Sequence, residues 1–274
     1  MSSEHELKAP DHWTDFNKLI VDDPSFKLTP EVKELFHKYT GIPEDQIVQH
    51  VVDVRDRAFK IFPYPCIGQF NFLDFGVSKA PKYKDVLEGV KAGKTLLDVG
   101  CCFGQDLRKL THDGADSKNL MGFEMKKEFT DLGYDLFRDR DSLKSNFVFG
   151  DFFAPIPDLE GKQFDYIHAS SFFHLFSWDD QVTILEKFLG LLKQRHGTMV
   201  FGRQACVPKA GVLRHEKARG GEMFRHDKAS FKRMVEEATK GAWAEGRFEV
   251  EVGTFKRVIE GKEWDMMNFS MEVQ

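Results

Sequence analysis

Asp98, Glu124 and Asp151 each follow a short apolar run, in LLDVGCCFGQD (96–106), FEM (123–125) and GDFF (150–153). A lone acid at the end of a strand ordinarily caps a turn or helix; three at the ends of successive parallel strands line a single ligand site. Gly100 and Gly104 are small enough to bring backbone N–H groups against a bound group, and the helix that follows adds partial positive charge at its start. A dinucleotide turn of the form G-x-G-x-x-G would need glycine where Cys102 and Gln105 stand, and the Gly-Lys-Ser/Thr of a phosphate loop is absent.

Asp98 would repel a pyrophosphate but can accept from an ammonium group, which favours S-adenosylmethionine, with S-adenosylhomocysteine as its product. Glu124, about 20 residues beyond the glycine turn, can take both ribose hydroxyls, with Met125 beside it. Asp151 can accept from an adenine amino group while Phe152 lies against the ring. Ala169 and Ser170, at the end of the fourth strand, would pass close to the cofactor.

The elements that must position these groups follow from apolar period and turn chemistry. From residue 95 onward strands and helices alternate, as in a parallel sheet built from right-handed crossovers. Strands are expected at 95–100, 119–124, 146–150, 164–170 and 198–203, with helices near 105–112, 126–140, 178–194 and 227–240. RFEVEVGTFKRV and WDMMNFSMEV close the chain as a hairpin, so one of its strands runs antiparallel to the rest. Residues 1–92 read as an N-terminal helical cap belonging to the same unit as residues 93–274. Thr29-Pro30 starts one helix, Gly41 ends it, and Ile47, Val51, Val54, Ala58, Phe59 and Phe62 recur at helical spacing up to Pro63. PYPCIGQFNFLDF (63–75) is too aromatic for a solvated linker, and its Tyr64, Phe70 and Phe72 are candidate walls of an apolar acceptor pocket.

The acceptor side falls to the ends of strands four and five. His174, at the turn after HASSFFHLF, is the candidate base or hydrogen-bonding group, and His168 reads as a satisfied core histidine. Arg203 suits an acidic acceptor; the alternative, for it and for Arg214, Lys217, Arg219 and Arg225, is a solvated basic loop. Ser177 followed by Asp179 and Asp180 reads as a helix start, and no metal is expected.

With 274 residues, 41% of them hydrophobic, and a net charge of −5, the chain suits one catalytic-size α/β domain. No basic field suggests nucleic acid, no apolar run suggests a membrane, and four cysteines without paired spacing suggest a reducing, cytoplasmic setting. The oligomeric state is open, a homodimer included.

The three acids, the glycine turn and the terminal hairpin resemble the class I S-adenosylmethionine-dependent methyltransferases. That resemblance implies a Rossmann-like fold with a seven-stranded, mostly parallel sheet; Cys102 stands where the family usually has a middle glycine. PYPCIGQFNFL, HASSFFHLFSWDDQ and GGEMFRHDKASFKRM further resemble the fungal O-methyltransferases of meroterpenoid and related secondary-metabolite pathways. The resemblance implies methyl transfer to oxygen, often the carboxylate of a prenylated polyketide acid: an apolar small molecule with an acidic group. Methylation of a hydroxyl or a carbon, and a regulatory protein that keeps the fold, are the alternatives.

Overall fold

The computed structural model describes residues 6–7, 20–216, 218–240, 247–259 and 261–274. Five parallel strands are where the apolar runs place them: β1 (Leu96–Val99), β2 (Leu120–Glu124), β3 (Asn146–Phe149), β4 (Tyr166–Ser170) and β5 (Met199–Ala205). After the ribbon β6 (Gly211–Arg214) and β7 (Glu222–Arg225), the hairpin β8 (Phe248–Ile259) and β9 (Lys262–Val273) returns to the sheet. The order is β3-β2-β1-β4-β5-β9-β8, with β9 antiparallel to β5 and to β8. Strand order therefore reverses between β1 and β4, and the crevice beyond their C-terminal ends is the expected ligand position.

The cap forms as its sequence dictates. Thr29 accepts the Val32 N–H at the start of α1 (Pro30–Leu35), whose continuation stops at Gly41 in the left-handed region (φ 70°). α2 (Glu44–Ile61) buries Ile47, Val51, Val54 and Ala58, and α3 (Pro65–Gly68) and α4 (Tyr83–Lys91) lead to β1. Within the sheet unit, α5 (Gln105–His112), α6 (Lys127–Phe137) and α7 (Trp178–Leu191) make crossovers between parallel strands, and α8 (Lys228–Thr239) precedes the closing hairpin. Ser177 caps α7 by accepting the Asp180 N–H, so Asp179 and Asp180 are first-turn acids, as their spacing indicates.

The cap does not stand apart. Val32, Phe36, Val51, Phe70 and Phe72 share one buried cluster with Phe103 of the glycine turn and with Phe129, Leu132, Leu136 and Phe137 of α6.

The basic loop expectation is corrected for two of its arginines. Gly211–Arg214 and Glu222–Arg225 pair as an antiparallel ribbon, and Arg203 and Arg225 are 6% and 5% exposed, whereas Arg214 and Arg219 are exposed to solvent as expected. Apolar Val212, Leu213, Met223 and Phe224 bury the ribbon and carry Arg225 in with them. Lys217 lies outside the described residues. Among the described residues no helix is long and apolar enough to cross a membrane.

Candidate active site

Gly100, Cys102 and Gly104 all adopt left-handed backbone (φ 72°, 51° and 65°), so the chain between β1 and α5 doubles back tightly. A side chain at Cys102 is strained in that region. Its conformation is held from outside, because the Cys102 N–H donates to Glu124 Oε2 (2.9 Å). Glu124 Oε1 accepts from the N–H groups of Met125 (2.8 Å) and Lys126 (3.1 Å). Burial pushes the Glu124 carboxyl up, against those three donors. One carboxylate thus ties the end of β2 to the glycine turn, with Met125 exposed beside it.

The turn is braced from below by Arg108, whose fork meets Asp139 twice (2.8 and 2.9 Å) while Nη1 donates to the Phe103 carbonyl (2.6 Å). Gly133 of α6 packs on the same carbonyl; a Cβ there would lie 2.1 Å from Phe103 O. In an open helix Gly→Ala gains about 1 kcal/mol, but this contact is with backbone that cannot step aside. Gly133→Ala is therefore expected to lose at least ~2 kcal/mol of stability and to weaken S-adenosylhomocysteine binding; denaturant unfolding and calorimetry read the two effects.

Asp98 is buried on β1, opposite His168 in the β4 register. His168 Nδ1 donates to Asp98 Oδ1 (2.8 Å). Burial pushes the Asp98 carboxyl up; it pulls the imidazole down, but Asp98 outweighs it and His168 is held above its ordinary value. The core reading of His168 is accurate as to burial, yet the ring serves a cofactor-candidate acid. Asp98 Oδ2 has no hydrogen-bond partner among the described residues. A buried acceptor left open at this place fits the ammonium end of S-adenosylmethionine.

Asp151 is exposed at the end of β3, accepting the Phe153 N–H (2.9 Å) and facing Arg219 (3.4 Å). Phe152 is 4% exposed and packs against Phe123, Phe172 and Phe188 in T-shaped pairs, so the ring expected against adenine is part of the core. Phe153, which pattern reading passed over, lies under the Arg219 guanidinium (4.1 Å) instead.

On the acceptor side, Ser170 and Arg203 are register partners, with Arg203 Nε 3.3 Å from Ser170 Oγ. His174 Nδ1 lies 3.4 Å from the Ala205 N–H and accepts from it. Burial, with the Arg225 and Arg257 charges pushing the same way, holds His174 well below its usual imidazole value. Tyr64 is half-buried beside Glu124, which together with burial pushes its phenol up. Phe70 and Phe72 are corrected: they are 0% and 5% exposed, one under Arg55 (4.5 Å) and the other edge-on to Phe103 (4.8 Å), so they brace the wall from within the cap core. Ala169, fully buried, contributes close strand packing.

Residues 21–73 match the family described as the meroterpenoid methyltransferase N-terminal domain, and residues 96–195 match the methyltransferase domain family. O-methyltransferase phiE of a fungal species (strain ATCC 74256) is 38% identical over 241 residues, covering 85% of this chain and 77% of that protein. Methyltransferase ausD of Aspergillus calidoustus is 41% identical over 213 residues, covering 75% of each. The chain belongs to the fungal meroterpenoid methyltransferases. Its fold is that of class I methyltransferases: the N-terminal domain of EvdMO1, solved with SAH bound, superposes with a TM-score of 0.52 at 14% identity over 81% of this chain and 96% of that one. S-adenosylmethionine is the methyl donor of this class.

Two features of this methyltransferase escaped pattern reading. Asp74 of the cap gathers Lys27, Arg203 and Arg257, joining the cap, β5 and β8. A surface hollow of about 560 Å³ at the C-terminal end of α6 is lined by Tyr134, Asp135, Arg138, Arg140, Asp141 and Ser142.

Proposed function

We propose that this methyltransferase forms a methyl ester on the carboxylate of a prenylated polyketide acid in a meroterpenoid-type pathway. The observation that carries the reading is the state of His174. Its Nδ1 accepts the Ala205 N–H, so the proton of the neutral ring sits on Nε2, and in this reading His174 meets the acceptor as a donor. Its depressed basicity further disfavours proton removal. A phenol near pKa ~10 needs a base, whereas a carboxylate is already ionised at neutral pH and needs only orientation and desolvation.

In this reading Asp98, Gly100, Cys102, Gly104, Glu124, Met125, Asp151 and Ser170 hold the cofactor, which supplies an electrophilic methyl carbon when bound. Asp98 accepts from its amino group and Glu124 from its ribose hydroxyls. His174 and Arg203 orient the acceptor oxygen, Tyr64 closes the pocket from the cap, and the apolar walls exclude water.

Mass spectrometry of the product before and after mild alkaline hydrolysis tests the proposal, because a methyl ester is cleaved and an aryl ether or carbon-bound methyl group survives. His174→Gln, still a donor through its amide, is expected to keep at least about a third of wild-type kcat, and His174→Ala to lose roughly 10-fold or more. With the imidazole held low, it is neutral above pH ~6 and the wild-type rate is expected to be flat from there to pH ~8. A rate that climbs with pH, together with loss of activity in His174→Gln, would point to base-assisted methylation of a hydroxyl or carbon.

A further inference from the structure

We propose that Lys27, Arg203 and Arg257, gathered round Asp74, form a carboxylate-binding subsite. Asp74 Oδ1 takes Lys27 Nζ (2.6 Å), and Oδ2 lies 2.8 Å from Arg257 Nη2 and 3.3 Å from Arg203 Nη2. The four side chains are 8%, 8%, 13% and 16% exposed, in the order Lys27, Arg203, Arg257 and Asp74. Among the described residues, Asp74 is the one carboxylate within ion-pair distance of these three cations. Two positive charges are therefore left over in a place with little water, and an uncompensated buried charge is strongly unfavourable. Arg257 Nε moreover has no hydrogen-bond partner among the described residues.

A second anion would resolve both facts. A guanidinium fork best matches a planar ion with two acceptor oxygens, and neither ligand of this reaction carries a phosphate. Burial holds Lys27 and Arg257 below their ordinary basicity, as expected where neutralising charge is short. The Ser170–Arg203 pair lies one pleat repeat beyond Asp98–His168 toward the C-terminal strand ends. An amino acid end with its ammonium at Asp98 would send its carboxylate along the same face. The Arg257 charge is also felt at His174, whose basicity it helps to depress, so in the methyl-ester reading an acidic acceptor held by His174 and Arg203 would meet the same group of cations. The acceptor source rests on the methyl-ester reading above; the cofactor source does not, and alkaline hydrolysis of the product judges that reading separately.

The test uses the full chain and Arg257→Met, with Arg257→Gln as the second variant should the first not melt cooperatively. S-adenosylhomocysteine and 5′-methylthioadenosine, which lacks the amino acid end, are titrated calorimetrically. If the subsite serves the cofactor, the variant binds S-adenosylhomocysteine roughly 10- to 100-fold more weakly and methylthioadenosine unchanged, and Arg257→Lys recovers part of the loss. If it serves the acceptor, S-adenosylhomocysteine binding is unchanged, and benzoate titrated into the saturated protein binds the parent but not the variant. A variant that melts like the parent, binds S-adenosylhomocysteine equally and removes no saturable benzoate binding overturns the proposal, leaving the four side chains as an internal ion network.

Discussion

Glu124→Ala is expected to weaken S-adenosylhomocysteine binding roughly 10- to 100-fold and to cost about 2–3 kcal/mol of stability. The carboxylate serves two ends at once: it accepts three backbone N–H groups from Cys102, Met125 and Lys126, and in the proposed complex it also meets the ribose. Hydrogen bonds to a charged acceptor contribute roughly 1.5–3 kcal/mol each, but Met125 is exposed and water can replace Glu124 there. The Cys102 N–H, in its strained left-handed turn, loses its only protein acceptor among the described residues. Glu124→Gln keeps one carbonyl oxygen and should fall between the two. Calorimetric titration and chemical denaturation measure both effects; unchanged affinity in a folded Glu124→Ala protein would place the ribose end elsewhere.

Removing residues 1–75 should leave a chain without a cooperative melt and without turnover. Phe103, Phe129, Leu132, Leu136 and Phe137, each at most 6% exposed, are covered by the cap cluster. Exposing one such side chain costs roughly 1.5–3 kcal/mol, so five together rival the whole ~5–15 kcal/mol stability of an ordinary domain. The same deletion strips Asp74 from Arg203 and Arg257, leaving both arginines buried without it. Near-ultraviolet circular dichroism and differential scanning calorimetry of the truncated chain decide the matter. A truncated protein that melts sharply and methylates at the normal rate would show that the cap is dispensable.

What the sequence made legible was local. Thr29, Ser177, Gly41 and the alternating strand and helix pattern each act within a few residues, so caps, crossovers and the terminal hairpin could be placed from spacing alone. The three acids were found for the same reason: each ends its own strand. What stayed hidden depends on pairing across the fold. Asp98 with His168, and Asp74 with Arg203, are 70 and 129 positions apart, and no period joins them. Phe70, Phe72 and Phe152 misled because an aromatic residue in a turn-rich stretch looks the same whether it faces a ligand or a core. GVLR and EMFR, with arginine at each end, resembled solvated loop until their apolar residues were seen packed. One signal for Arg257 was present: two residues from Phe255 on a strand of the closing hairpin, it shares that residue's half-buried face, and a cation on the covered side of a strand calls for a partner there.

That hairpin is longer than the sheet it joins. β9 is bonded to β5 from Met266 to Glu272, whereas β8 follows it from Lys262 to Val273. The stretch carrying Arg257 and its partner Trp264 is thus an overhang with a neighbour on one side only. Such ribbons bend and open locally at far lower free energy than the central strands. Swinging this end outward would break the Arg257–Asp74 contact yet leave every ladder bond of the parallel sheet in place. The bulky acceptor proposed above would then enter and leave past the hairpin while the glycine turn, fastened by Glu124 and Arg108, keeps its shape.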